Sequence, residues 1–286
     1  MKVITTIREM QQTAAAEKRN GKTIGFVPTM GFLHDGHLSL VRRAAGENDL
    51  VAMSVFVNPL QFGPNEDYEQ YPRDIQKDEA AAKNEGVDIL FYPSTEEMYP
   101  GEPAVSVTVG KRADVLCGKS RPGHFDGVAT VLTKLFHIVM PDAAYFGMKD
   151  AQQVAVVDGL IDDLNFPVRL VGCPTVREAD GLAKSSRNVY LSDAERREAP
   201  ALYQGLQLGA EAYKSGERNA NRLRETVIGF LNNRLTKGEI EYVSVLAYPE
   251  LTKADLNDGQ IIIAVAVRFE TARLIDNVVL GGENGC

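Results

Sequence analysis

The chain has 286 residues, 44% hydrophobic and 24% charged, enough to bury a sizeable core as one large domain or two smaller ones. Its formal net charge of −8 and pI near 5.2 exclude nucleic acid as the main partner, because nonspecific affinity for a phosphate backbone needs clustered Lys and Arg, and no basic tail or stripe is present. The opening MKVITTIREM lacks a continuous apolar core of the signal-peptide kind, and the strongly apolar run 261–267 is far too short to span a bilayer, so a cytoplasmic protein without a membrane partner is expected.

Up to about residue 176, short apolar runs alternate with helical periodicity. Strands are expected at 23–28, 51–58, 87–92, 144–147 and 168–176, and helices at 36–45, 74–85, 125–139 and 151–164. In the third of these helices Val128, Val131, Leu132, Leu135, Phe136 and Val139 make one apolar face. Such alternation predicts an α/β fold, a Rossmann-like doubly wound parallel sheet whose ligands bind beyond the carboxyl ends of the strands. After Arg177-Glu-Ala-Asp-Gly181 the pattern changes to long helical tracts over 193–215 and 219–235, then strands at 241–247 and 261–269. The expected division is therefore a Rossmann-like domain, 1–176, and a smaller C-terminal α+β lid domain, 177–286, hinged near residues 177–183. Cys117, Cys173 and Cys286 are widely spaced and form no C-x-x-C pair, which reads as reduced thiols rather than a disulfide framework or a zinc knuckle.

Two of the four histidines, His34 and His37, sit three residues apart where the first strand hands over to a helix. A helix N-terminus leaves backbone N–H groups unpaired and carries partial positive charge, so the junction from Gly31 to His37 is a ready anion site. Gly31 and Gly36 allow phosphate to approach the backbone, and two imidazoles can donate to it. Spacing alone leaves a metal pair or two capping side chains open as alternatives. His124 and His137, near the start and end of a helix, read as structural residues outside the catalytic set.

The stretch PTMGFLHDGH from Pro28 resembles the H-x-G-H signature of nucleotidylyltransferase-type adenylate formers, and the whole segment to Leu40 is similar to the pantothenate synthetase family. Four further stretches carry the same resemblance in the same order: FVNPLQFG from Phe56, YPR from Tyr71, YFGMKDAQQ from Tyr145 and DGLAKSSRN from Asp180. The resemblance implies condensation of pantoate with β-alanine at the expense of ATP, through a pantoyl-adenylate, with release of AMP and pyrophosphate. It implies an ATP site made of Met30, Gly31, Phe32, Leu33, His34, Asp35, Gly36, His37, Gly147, Met148, Lys149, Asp150, Val176, Lys184, Ser185, Ser186 and Arg187, with His34, His37 and Lys149 catalytic. Gln61 and Gln153 would bind pantoate or β-alanine through neutral amides. Met30, with the apolar segment at Val128 and Val131, either packs against pantoate or serves as plain core.

The reaction's demands match these residue types. A carboxylate must become a mixed anhydride before an amine can displace it, and that step needs charge neutralisation on the phosphates rather than a base. Mg²⁺ would complete the set, with Asp78 as a water-mediated metal contact and Asp150 a second candidate, either of which could equally be a helix-face or capping charge. The family often has Met where this chain has Lys184. β-Alanine's ammonium must lose a proton before attack, and no dedicated base stands out, which leaves proximity to the adenylate. A homodimer built through the larger domain is also implied. Three other readings compete: a transferase for a phosphorylated substrate, which would need a further basic cluster; an aminoacyl-tRNA synthetase, which would need an RNA-binding region; and a nucleotide-binding protein without activity, which would bind ATP and leave it intact.

Overall fold

The apolar runs of the first half pair into one parallel sheet. In the computed structural model, which describes residues 1–64, 66 and 68–281, the strands are β1 (Lys2–Ile4), β2 (Ile24–Thr29), β3 (Leu50–Val55), β4 (Ile89–Phe91), β5 (Ala143–Gly147) and β6 (Arg169–Cys173). Their order is β1-β4-β3-β2-β5-β6, every pair parallel. Ile24, Phe26 and Val27 of β2 are fully buried, as a strand covered on both faces requires. From β2 the chain builds outward through β3 and β4 on one side and through β5 and β6 on the other. The order reverses at β2, so the switch-point crevice lies beyond the carboxyl ends of β2 and β5.

Helices α1 (Ile7–Arg19), α2 (Asp35–Ala45), α3 (Ile75–Glu85), α4 (Thr95–Met98), α5 (Leu116–Ser120), α6 (His124–Val139) and α7 (Ala151–Asp163) occupy the connections. The apolar face expected for α6 is buried at Val128, Val131, Leu132, Leu135, Phe136 and Val139. The short edge strand β1 and the helix α1 stand where the sequence pattern suggested no element. Three residues are too few to show a period, and α1 buries only Met10 and Ala14.

The chain forms two compact units, one of Met1–Lys111, Arg121–Met148 and Val156–Cys173, the other of Arg112–Ser120, Lys149–Ala155 and Pro174 onward. In place of the single boundary expected after residue 176, the last crossing falls after Cys173, and two short segments from before that point belong to the second unit. The cause is visible in the second unit's antiparallel sheet, β7 (Glu239–Tyr248), β8 (Gln260–Arg268) and β9 (Arg273–Leu280). One face buries Ile263, Val265 and Val267 with Leu202, Leu206, Val227 and Leu231 from α9 (Ala201–Lys214) and α10 (Ala220–Asn232). The other face, carrying Tyr242, Tyr248 and Asn277, is covered by the two inserted segments. The Tyr242 hydroxyl lies 3.3 Å from Cys117 Sγ, and Tyr248 Oη donates to the Ala151 carbonyl at 3.4 Å.

The helical tract expected over 193–215 is two helices, α8 (Asp193–Glu198) and α9, separated at Ala199-Pro200. Proline lacks the N–H that would continue the first helix and suits the entry of the second. The strand β9 was not expected, because Asp276-Asn277 interrupts its apolar pattern. Cys117 and Cys173 are free and buried; Cys286 lies outside the described residues.

Candidate active site

In the first unit the site is built on the turn from β2 to α2. His34 is the N-cap of α2: its Nδ1 accepts the Gly36 N–H at 3.1 Å, while Nδ1 of His37, three residues on, accepts the His34 N–H at 3.3 Å. This is the reciprocal arrangement usually made by Ser or Thr with Glu. The two rings stack with centroids 4.0 Å apart. Because each Nδ1 accepts, the proton of each neutral ring is on Nε2, so both imidazoles offer an Nε2–H donor at a helix N-terminus. Asp35, in the first turn, adds a carboxylate that favours the helix dipole.

The approach to this turn is left-handed at two consecutive residues, Gly31 (φ +86°) and Phe32 (φ +52°). A Cβ on Gly31 would sit 2.8 Å from Asp78 Oδ2 and 3.0 Å from Val55, so glycine is required there both for its φ and for space. Asp78, on α3, accepts the Phe32 N–H at 2.8 Å and the Leu33 N–H at 2.7 Å. It is buried, which pushes its carboxyl above the usual carboxylate range, while the two N–H bonds oppose that shift. The residue expected near a metal through water therefore spends both oxygens on the backbone of the turn.

The Gln61 side chain lies against Met30: its Nε2 is 3.2 Å from Met30 Sδ, and its Oε1 accepts from Asn58 Nδ2 at 3.2 Å. Asn58 Nδ2 also donates to the Gly127 carbonyl at 3.0 Å, tying the Gln61 turn to α6. His124, set aside from the sequence alone, donates from Nδ1 to the Gln61 carbonyl at 2.8 Å, which leaves Nε2 to accept from Arg121 at 3.1 Å. Arg121 in turn pairs with Glu66. The signal for this cluster was the RPGH run at a helix start, whose role depends on a turn about 60 residues earlier in the chain. A cavity of ≈ 140 Å³ borders Met30 and Asp78 beyond the carboxyl ends of β3 and β4. Gly147 and Met148 close β5 at the same edge of the sheet.

The remaining expected site residues belong to the second unit. Lys149 and Asp150 follow β5 directly; their side chains are 3.7 Å apart and 20% and 50% exposed. Gln153 is half-buried on α7. Its neighbour Gln152 has a different task, donating to the Arg112 and Val115 carbonyls and accepting from Cys117 N–H. Val176 accepts the Lys184 N–H at 2.9 Å, and Lys184 Nζ lies 3.7 Å from Glu178. Ser185 caps a short 3-10 turn, Ser186–Tyr190, by accepting the Arg187 N–H, and Ser186 is buried. Among the described residues no three His, Cys, Asp or Glu side chains converge on a metal position.

The family model for pantoate-beta-alanine ligase matches residues 2–279. The chain is 64% identical over 280 residues to a pantothenate synthetase from Geobacillus sp. (strain WCH70), covering 98% of this chain and 99% of that one. A pantothenate synthetase from Bacillus pumilus is 59% identical over 279 residues, covering 98% of this chain and 96% of that one. Among solved structures, the Thermus thermophilus pantothenate synthetase superposes with a TM-score of 0.91 at 46% identity, covering 97% of this chain and 99% of that one. A pantoate-beta-alanine ligase from Francisella tularensis, complexed with beta-gamma ATP and beta-alanine, superposes with a TM-score of 0.80 at 34% identity, covering 98% and 97%.

Proposed function

The chain belongs to the pantoate–β-alanine ligase family and is an enzyme that joins an acid to an amine, and we propose that it makes pantothenate in two steps on one held nucleotide. In the first, a pantoate carboxylate oxygen bonds to the α-phosphorus of ATP and the bond to the β-phosphate oxygen breaks, releasing pyrophosphate. In the second, the β-alanine nitrogen bonds to the pantoyl carbon, AMP leaves with the anhydride oxygen, and the amine gives up a proton. The observation that carries this reading is the His34–His37 box, which fixes two Nε2–H donors at the N-terminus of α2 beside the switch point. Fixed donors of this kind stabilise charge as it develops on phosphate.

Gln61, backed by Asn58 and His124, is suited to hold pantoate through its amide, with Met30 as an apolar wall. A neutral amide leaves the attacking carboxylate its nucleophilicity, which an arginine clamp would lower. Gln153 would hold the same substrate from α7. Lys149, Lys184, Ser185, Ser186 and Arg187, all in the second unit, are the donors suited to the β- and γ-phosphates. His37 would assist phosphate release by donating from Nε2. Mg²⁺ arriving with ATP would neutralise phosphate charge, and Asp150, half-exposed where Asp78 is buried and committed to the turn, would meet it through water. The family resemblance supports a cytoplasmic homodimer built through the first unit; light scattering should return twice 31.3 kDa.

The direct test is exchange of labelled pyrophosphate into ATP with Mg²⁺ and pantoate present and β-alanine absent. Exchange that depends on pantoate is expected. A folded protein that makes pantothenate from all three substrates yet shows no exchange would remove the adenylate from the scheme.

A further inference from the structure

We propose that Asp276 and Asn277, adjacent on β9, are positioning residues that hold the two phosphate-gripping segments of the second unit in a fixed relation. Asn277 sets Lys149, and Asp276 sets the hairpin that leads to Ser185, Ser186 and Arg187. The inference rests on the reading above, that these groups bind ATP phosphates, and adds what places them.

Successive residues of a strand point to opposite faces. Asn277 pairs with Ala264 and faces the inserted segments; Asp276 pairs with Val265 and faces the side on which α9 and α10 pack. On the first face, Asn277 is buried and its Nδ2 donates to the Lys149 carbonyl at 2.9 Å. The tie from Tyr248 to the Ala151 carbonyl lies on the same face. The Lys149 backbone is thereby anchored to the C-terminal sheet, although in sequence it lies only two residues past β5, a strand of the first unit.

On the opposite face the Asp276 carboxylate is 3% exposed and receives a two-pronged contact from Arg177, at 2.6 and 3.0 Å. Arg177 also donates to the Gly181 carbonyl at 3.1 Å and stacks over Tyr203 at 3.5 Å. It pairs with Ala183 in an isolated antiparallel bridge, and the Lys184 N–H closes on the Val176 carbonyl. The segment is a pinned hairpin whose outgoing strand continues directly into Ser185. One atom joins the two halves: Asp276 Oδ1 accepts both from Arg177 and from the Asn277 N–H, the latter at 2.8 Å. A buried ion pair of this type is a poor source of net stability but a good source of fixed geometry, since the fork of a guanidinium allows little latitude. Two polar residues in an otherwise apolar strand, LIDNVVL, are then accounted for by what they hold.

The test uses the full-length enzyme and pantoate-dependent pyrophosphate exchange. Asn277→Ala is expected to lower kcat about ten- to a hundredfold with little change in KM for pantoate, the scale of loss for a displaced catalytic group. In a Lys149→Ala background the same substitution should cost less than about twofold more, because it acts through Lys149. An equal loss in both backgrounds would overturn the Asn277 role while leaving the function of Lys149 intact. Lys149→Ala at the parent rate would instead remove Lys149 from the phosphate site, and this inference with it. If Asn277→Ala fails to fold, Asn277→Asp keeps the volume and loses the donor, and should show the same non-additivity. For the other half, Asp276→Asn or Arg177→Lys should be non-additive with Arg187→Ala and additive with Lys149→Ala; additivity with both would refute it.

Discussion

His34 and His37 each meet two demands, a helix cap through Nδ1 and a donor through Nε2, and substitution can separate them. Asparagine is among the best N-cap residues and alanine among the poorest. His34→Asn should therefore melt within about 0.5 kcal/mol of the parent, while His34→Ala should lose about 1 kcal/mol, by the usual worth of a cap. Both should slow pyrophosphate exchange by about a hundredfold, the loss typical of one removed donor to developing charge. Thermal melts beside exchange rates decide it, and equal stability for the two variants would mean that the box does not hold α2. At this scale the residue types were legible: PTMGFLHDGH shows an anion site, whereas the bonds from Asp78 to Phe32 and Leu33 show only once α3 is placed.

Among the elements, α6 and the short turn Pro59–Gln61 depend on each other through Gly127. A Cβ there would come within 2.3 Å of the Leu60 carbonyl oxygen and 2.6 Å of the Gln61 nitrogen, both backbone atoms that cannot turn aside. Gly127→Ala is expected to cost about 1–3 kcal/mol, as overpacked sites do, and to raise KM for pantoate by moving Gln61. A denaturant titration with substrate kinetics reads both. Gly229 on α10 is the control: it is exposed, with nothing within 4 Å of its would-be Cβ. Its replacement by alanine should stabilise by about 0.5–1 kcal/mol, because glycine is a poor helix former. The sequence marked α6 by its apolar period, but that period says nothing about which turn needs the helix to lack a side chain.

For the whole molecule, acid stability should be set by paired carboxylates in both units. In the first, Glu47 is held at about 2 by hydrogen bonds from Arg169, Tyr145 and Arg43. In the second, Glu195 is held at about 2 by Ser192, with Thr271 adding a further bond. A carboxylate whose folded pKa lies below its unfolded one stabilises fully above the unfolded value, near 4.5, and that contribution is lost as pH falls towards the folded value. The melting temperature should hold from pH 7 to about 5 and fall steeply from about 4.5 to 2. Glu195→Gln should start lower at pH 7 and show a shallower fall. A melting temperature unchanged from pH 5 to 3 would contradict this assignment.

The sequence by itself determined the parallel α/β sheet, because runs such as Ile24 to Val27 are apolar on both faces and can be buried only between helices. It also marked an anion-binding helix start and a chemistry of phosphates and a carboxylate, since those are written in residue type and local spacing. Tertiary structure alone decided which segments make up the second unit, which of Gln152 and Gln153 is spent on backbone carbonyls, and that Asn277 reaches Lys149 128 residues away along the chain. The physical reason is that period and composition record what a residue needs, burial or a partner. Which partner it meets depends on strand register and on the face of the sheet that another segment covers, and these are fixed only when the chain closes on itself.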